Sequence, residues 1–170
     1  MQERVSAISG PRGAAPRASR ILRPGIRVLP PGVERYLVDG GSLIVVGIEP
    51  GDEVTVTDIE GRQPVELLAA DGKGRIDPGI LGRKGNSDGK GIKAALAAAD
   101  ESAAIVRHGL ARRKIDLAQA SAIRLFPASS PAGSCQTLKV DRAGVLVVES
   151  LDSALARGAR IRAEVLGVAT

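Results

Sequence analysis

The chain reads as a mainly β (α+β) protein, an antiparallel β-barrel or sandwich with a two-helix insertion at about residues 92–113. Three observations predict this. Short apolar runs, many of them rich in β-branched residues, recur between turn signals in both halves of the chain. An alanine-rich stretch with helical spacing separates the two sets. Tyr36 and Phe126 are the only aromatic residues among 170, so valine, isoleucine, leucine and alanine must fill the core, with 21 glycines to turn the chain. Hydrophobic residues make up 44%, enough for one domain with its own core.

The organising stretch is Ser42–Asp71. Apolar runs at Leu43–Ile48, Val54–Ile59 and Val65–Ala70 are separated by Glu49-Pro50-Gly51-Asp52 and Glu60-Gly61, and Asp71-Gly72 closes the third. Proline presets φ and glycine supplies positive φ, so these read as turns. The pattern predicts a β-meander, entered by a strand at 33–38. In the third strand Gln63, Val65 and Leu67 share one face, and Glu66 and Leu68 the other. Gln63 is thereby expected to be buried and to need partners. Pro64 cannot donate to a ladder and marks an edge or a bulge.

The connection after Asp71 is polar, with a turn at Asp77-Pro78-Gly79, and Gly82–Gly91 is mobile by composition. Ile92–Ala99 reads as a short helix. Asp100 suits the N-cap of a second helix over 101–113, with Val106 and Leu110 on its buried edge. Arg112, Arg113 and Lys114 sit in its last turn, where cations suit the dipole. Asp116 caps one further turn. Strands return at Ala122–Phe126, at Gln136–Val140 and Gly144–Glu149 as a hairpin, and at Arg160–Val168, which alternates.

Residues 1–25 are rich in Arg, Pro, Gly, Ala and Ser and read as a disordered leader; 26–170 form the single domain. The net charge of +5 is concentrated in front, with seven arginines against three acids in residues 1–40. With so few rings there is no stacking platform for nucleic acid, and no recognition helix is evident. A single cysteine, Cys135, excludes an intramolecular disulfide and fits a reducing cytoplasm. No apolar run is long enough for a membrane span. The chain stops directly after a strand, which reads as a piece of a longer polypeptide.

The chemistry-bearing residues are sparse. The glycine-rich stretch before Ile92 lacks the spacing of a phosphate loop, because Lys84 and Gly91 stand where glycine and Ser/Thr are required. A free helix N-terminus flanked by Lys84 and Lys90 remains open to an anion. His108 is the only histidine, and a Cys135–His108 nucleophile pair competes with a surface histidine and a small buried thiol, which is the favoured reading. No metal site is expected. Glu60, Glu66 and Asp71 either cluster for acid–base work or are solvated turn charges, the default.

The run GDEVTVTDIEGRQPVELLAAD resembles the signature of the urea carboxylase-associated domain family, a domain of unknown function. Its pattern, D-x-E/D-G-x-Q-x-x-D/E-L/F after a Gly-Gln/Asp turn, falls here on Gly51, Asp52, Asp58, Glu60, Gly61, Gln63, Glu66 and Leu67. Asp71–Gly82, Ser102–Phe126 and Ser130–Val148 resemble the subgroup fused in front of glycine-cleavage T-protein-like aminomethyltransferases. The resemblance spans about residues 30–150. It implies an accessory N-terminal domain of a folate-dependent one-carbon enzyme, non-catalytic by itself, with the aminomethyltransferase domain or subunit as partner. Tetrahydrofolate is implied for that partner, and no cofactor for this domain. Two alternatives stand beside it, the first implied by stand-alone family members and the second independent of the resemblance. One is a hydrolase or deiminase acting on a small urea- or guanidine-like substrate, with Gln63 and Glu66 as catalytic candidates that orient substrate or activate water. The other is a protein–protein interaction module using an exposed sheet edge.

Overall fold

A computed structural model describes residues 32–150 and 163–168, all within the unit Pro31–Thr170. The predicted leader, 1–25, lies outside the described residues, as does the side-chain alternation expected over 160–168. The described residues form eight strands: β1 (Val33–Val38), β2 (Leu43–Ile48), β3 (Glu53–Asp58), β4 (Val65–Ala70), β5 (Ile123–Leu125), β6 (Ser134–Lys139), β7 (Gly144–Ser150) and β8 (Ala163–Val168). Between β4 and β5 come α1 (Lys90–Ala97) and α2 (Glu101–Arg112), the expected two-helix insertion.

The strands make two four-stranded sheets, ordered β1-β8-β3-β6 and β2-β7-β4-β5, with every ladder antiparallel. The described residues form a sandwich of two separate sheets. The pairs β1–β8, β2–β7, β3–β6 and β4–β5 are nested, as in one long hairpin folded over itself. This is the eight-stranded jelly roll.

That topology corrects two expectations. The stretch Leu43–Ala70 is not a meander, because β2 and β4 lie in one sheet and β3 in the other. The Glu49–Asp52 turn therefore carries the chain across the sandwich. It docks on the β6–β7 connection, where the Gly51 N–H donates to the Val140 carbonyl (2.9 Å) and the Val140 N–H to the Asp52 carbonyl (2.9 Å). For the same reason β6 and β7 are not a hairpin: they sit in different sheets, and their connection crosses the gap beside that turn in the opposite direction.

The inner faces bury Val54, Val56, Val65, Leu67, Ala69, Leu138, Leu146 and Val148. The outer face of the second sheet is covered by the helices, with Leu68, Ala70 and Val147 against Ile92, Leu96, Leu110 and Ile115. β4 is central and covered on both sides, so all six of its residues are buried. This is why VELLAA shows no polar–apolar alternation. Pro64 stands just before the ladder begins at Val65, where its missing N–H breaks no sheet bond.

Helix α2 starts where expected, with the Asp100 carboxylate accepting from the Ala103 N–H at 2.7 Å. Arg107 reaches across to donate to the Leu96 and Ala98 carbonyls, closing the C-terminus of α1 and tying the two helices together. The segment before α1 is pinned rather than mobile. The Asn86 amide exchanges two hydrogen bonds with the backbone of Arg124 (3.1 and 2.6 Å), and Ser87 bridges to Ala122, so the segment extends the β5 edge. A side chain that imitates a strand partner is invisible to composition.

Candidate functional site

Apart from Gly51 and Asp52, which lie in the turn before β3, the signature residues gather at the β3–β4 corner and on β4. At the β3–β4 corner the chain must reverse between sheets, and it does so through left-handed backbone at Gly61 (φ 80°) and Arg62 (φ 62°). Asp58 holds this turn. Its buried carboxylate accepts from the Gly61 N–H (2.7 Å), the Gln63 N–H (3.1 Å) and the Ser130 hydroxyl (2.6 Å). Ser130 in turn accepts from the Arg62 N–H through both its Oγ (3.1 Å) and its carbonyl (2.8 Å). Gly61 lies against the Ser130–Ala132 backbone, where a Cβ would meet the Ala132 nitrogen at 2.6 Å.

Gln63 is 1% exposed, as its strand face predicted. Its Nε2 reaches Glu60 Oε2 at 3.5 Å, and its Oε1 has no partner. Glu60 itself is exposed.

Glu66 is separate from that corner. It points into the helix layer, on the face opposite Val65 and Leu67, and is 1% exposed. Its Oε2 accepts from the backbone N–H groups of Gly91 (2.9 Å) and Ile92 (3.2 Å), and its Oε1 from the Ser87 hydroxyl (2.5 Å). Two of the unpaired donors at the start of α1 thus meet an internal anion, placed where the helix dipole favours one. The α1 N-terminus is occupied by this carboxylate, so the alternative of an anion held there is not what the fold shows. Lys90 pairs with Asp88 at 3.5 Å.

The three acids do not face one cavity. Glu60 is exposed at the corner, Glu66 is buried in mid-strand rather than solvated, and Asp71 follows the far end of β4. Asp71 accepts from the backbone of Lys73 (2.9 Å) and Arg75 (3.0 Å) and pairs with the Arg75 side chain (3.3 Å). The Arg75 N–H, ahead of the Arg75 charge, holds its carboxyl below the usual 3.8. His108 is exposed on α2, as expected. Cys135 is exposed on the edge strand β6, not buried, because it lies on the outer face of the first sheet, which no described helix covers. The two stand on opposite sides of the sandwich and form no nucleophile pair.

Three participants escaped the sequence reading. Ser87 and Ser130 supply hydroxyls from distant loops, and serine in a loop carries no signal. Glu149 is 2% exposed and lies directly opposite Glu66 across the β4–β7 ladder. Its place at the end of the apolar run GVLVVE hinted at burial, but only the register sets it beside Glu66.

Among the described residues no group of three or more His, Cys, Asp or Glu side chains is arranged to hold a metal ion. None of the described helices is long and apolar enough to cross a membrane. A cavity of about 410 Å³ opens between the Asp39–Ser42 turn and Ala95, Asp100 and Ser102; neither Gln63 nor Glu66 lines it.

No family model matches the chain. Over 133 residues, 78% of its length, the chain is 37% identical to a trimethylamine-oxide aldolase of Ruegeria pomeroyi. The matched stretch is 17% of that protein, so the chain corresponds to a small part of a much larger small-molecule enzyme.

Proposed function

We propose that the chain provides an accessory, non-catalytic domain to a larger enzyme that handles one-carbon groups carried on nitrogen. The observation that carries this reading is the commitment of the two buried signature carboxylates. Asp58 and Glu66 each accept three hydrogen bonds, all from this chain's own backbone and hydroxyl groups. A carboxylate so engaged is buried and spends three of its roughly four acceptor sites on the fold, so its role is to position secondary structure. The similarity to part of a trimethylamine-oxide aldolase supports the substrate class, since the methyl groups of trimethylamine oxide are one-carbon units on nitrogen. An aminomethyltransferase handles the same kind of group.

The catalytic partner on this reading is a folate-dependent, aminomethyltransferase-like domain or subunit. Tetrahydrofolate would belong to that partner. That assignment is supported by the placing of the chain's two rings: Phe126 is in the sandwich core and Tyr36 is half-buried against it.

One observation favours the alternative, a hydrolase or deiminase acting on urea- or guanidine-like compounds: the buried Gln63 oxygen has no partner. Incubating the purified chain with trimethylamine oxide, methylated amines, urea and guanidine separates the readings, with substrate followed by proton NMR and ammonia release. The accessory reading predicts no turnover. Catalytic turnover of any of these by the chain alone overturns it.

A further inference from the structure

The helix layer carries an apolar furrow. To it α1 contributes Lys93, Leu96 and Ala97, and α2 contributes Arg107, Leu110 and Ala111. Each set is spaced i, i+3, i+4, so each is one stripe along its helix. Ile115 and Leu117, just past α2, complete the lining. The furrow has a volume of about 370 Å³ and is open to solvent. Leu96, Leu110 and Ile115 are its buried floor, while Ala97 and Ala111 are exposed and leave its walls low.

Its charge is one-sided. Lys93 and Arg107 line it, and no acid among the described residues does. Arg107 is already turned to the Leu96 and Ala98 carbonyls. Lys93 is half-buried, and its ammonium has no hydrogen bond or ion pair among the described residues. Asp116 stands between two lining residues in sequence, but its carboxylate accepts from the Ala118 N–H at 2.9 Å as a cap. The Lys93 stem thus runs beside apolar side chains and brings an unmatched positive charge to them. A carboxylate that arrived with apolar cover would meet that charge away from bulk water, where the attraction is stronger.

We propose that this furrow docks an apolar, acidic polypeptide segment from outside these 170 residues. Leucine-type side chains would lie on Leu110 and Leu117, the two alanines would let the segment's backbone come close, and a carboxylate would meet Lys93. Charge selects this occupant. A second copy of the same face would set Lys93 and Arg107 against their own counterparts. The chain's own stretches beyond the described residues have the wrong sign: residues 1–31 hold six arginines against one acid, and 151–162 hold three against one. An open furrow along two helices suits a polypeptide, whereas a small carboxylate needs enclosure. The proposal concerns docking and stands whether or not the chain serves a one-carbon enzyme.

Peptide titration tests it. Three short helical peptides share the same leucine stripe and carry glutamate, glutamine or lysine at their other positions. Each is added to the full chain, and backbone amides are followed by NMR. The expected result is saturable binding of the glutamate peptide, about tenfold tighter than the glutamine peptide, with shifts centred on 93–97, 107–111 and 115–117. Lys93→Glu should reverse the order, so that the lysine peptide binds tighter than the glutamate peptide. Ala111→Gln, which adds bulk without charge at an exposed helix position, should weaken the glutamate peptide by about tenfold. If Lys93→Glu does not fold, Ala111→Gln still decides. No saturable binding, equal affinity for the glutamate and glutamine peptides, shifts centred elsewhere, or an unchanged order in Lys93→Glu overturns the proposal. So does octanoate binding as tightly as the glutamate peptide, or a dimer of the native chain in sedimentation that Ala111→Gln abolishes.

Discussion

Glu66 and Gly91 are separated by 25 positions, yet the Glu66 carboxylate accepts the Gly91 N–H at 2.9 Å. This bond joins the middle of β4 to the first turn of α1, and so fixes the helix layer on the second sheet. Glu66→Ala leaves the Gly91 and Ile92 N–H groups and the Ser87 hydroxyl unmet in a buried site, with an expected loss of about 3 kcal/mol. Glu66→Gln keeps an acceptor but loses the charge at the helix start, with an expected loss of about 1–2 kcal/mol. Urea unfolding measures both, and the two variants should differ in that order.

The same substitution at two glycines separates conformation from contact. At Gly41 (φ 72°) an added Cβ would meet nothing within 4 Å, so Gly41→Ala should cost about 1 kcal/mol for left-handed backbone alone. Gly61 (φ 80°), at the β3–β4 corner, is pressed on Pro131 and Ala132. Gly61→Ala should cost more than about 2 kcal/mol, since the corner must shift as well. Denaturant unfolding compares the two. Equal losses would mean that the corner does not pack on the 130–132 segment.

The Asn86 amide predicts where proteolysis begins. Asn86→Ala removes both bonds to Arg124 and should weaken that edge locally by about 1–2 kcal/mol. Limited trypsin digestion should then cut faster at Arg83 and Lys84 while global stability changes little. Unchanged cleavage would show that the segment is held by something else.

Acid sensitivity has a definite sign at Asp77. The Arg142 side chain, followed by the Gly79 N–H, holds the Asp77 carboxyl below its ordinary 3.8. A carboxylate lowered on folding adds stability above 3.8, and that contribution fades as pH falls through its lowered value. Arg142→Met should therefore destabilise the chain at neutral pH and cease to matter in strong acid. The pair is partly exposed, so the effect should be small and should shrink with added salt. Denaturant unfolding of both chains across acid pH checks it.

Element positions were legible because local chemistry sets them. Val33–Val38, Leu43–Ile48 and Val65–Ala70 fall where apolar runs end in glycine, proline and aspartate, and Asp100 announces α2. Pairing was not legible. In a nested topology β1 meets β8 and β2 meets β7, and a four-residue turn such as Glu49–Asp52 serves equally for a hairpin and for a crossing between sheets. The site was legible in part. The strand period buried Gln63 correctly, but the role of Glu66 depends on a helix 25 residues away. Its one advance signal was the unbroken burial implied by VELLAA, a strand that needs cover on both faces.

The central claim is that the two buried signature carboxylates, Asp58 and Glu66, hold the fold together. Amide hydrogen exchange at Gly91 and Ile92, read by NMR in the native chain and in Glu66→Gln, tests it most directly. Slow exchange in the native chain, close to that of the β4 amides, and clearly faster exchange in Glu66→Gln are the expected results. Rapid exchange at Gly91 and Ile92 in the native chain, unaffected by Glu66→Gln, would show that the carboxylate is not engaged with the helix and would contradict the account.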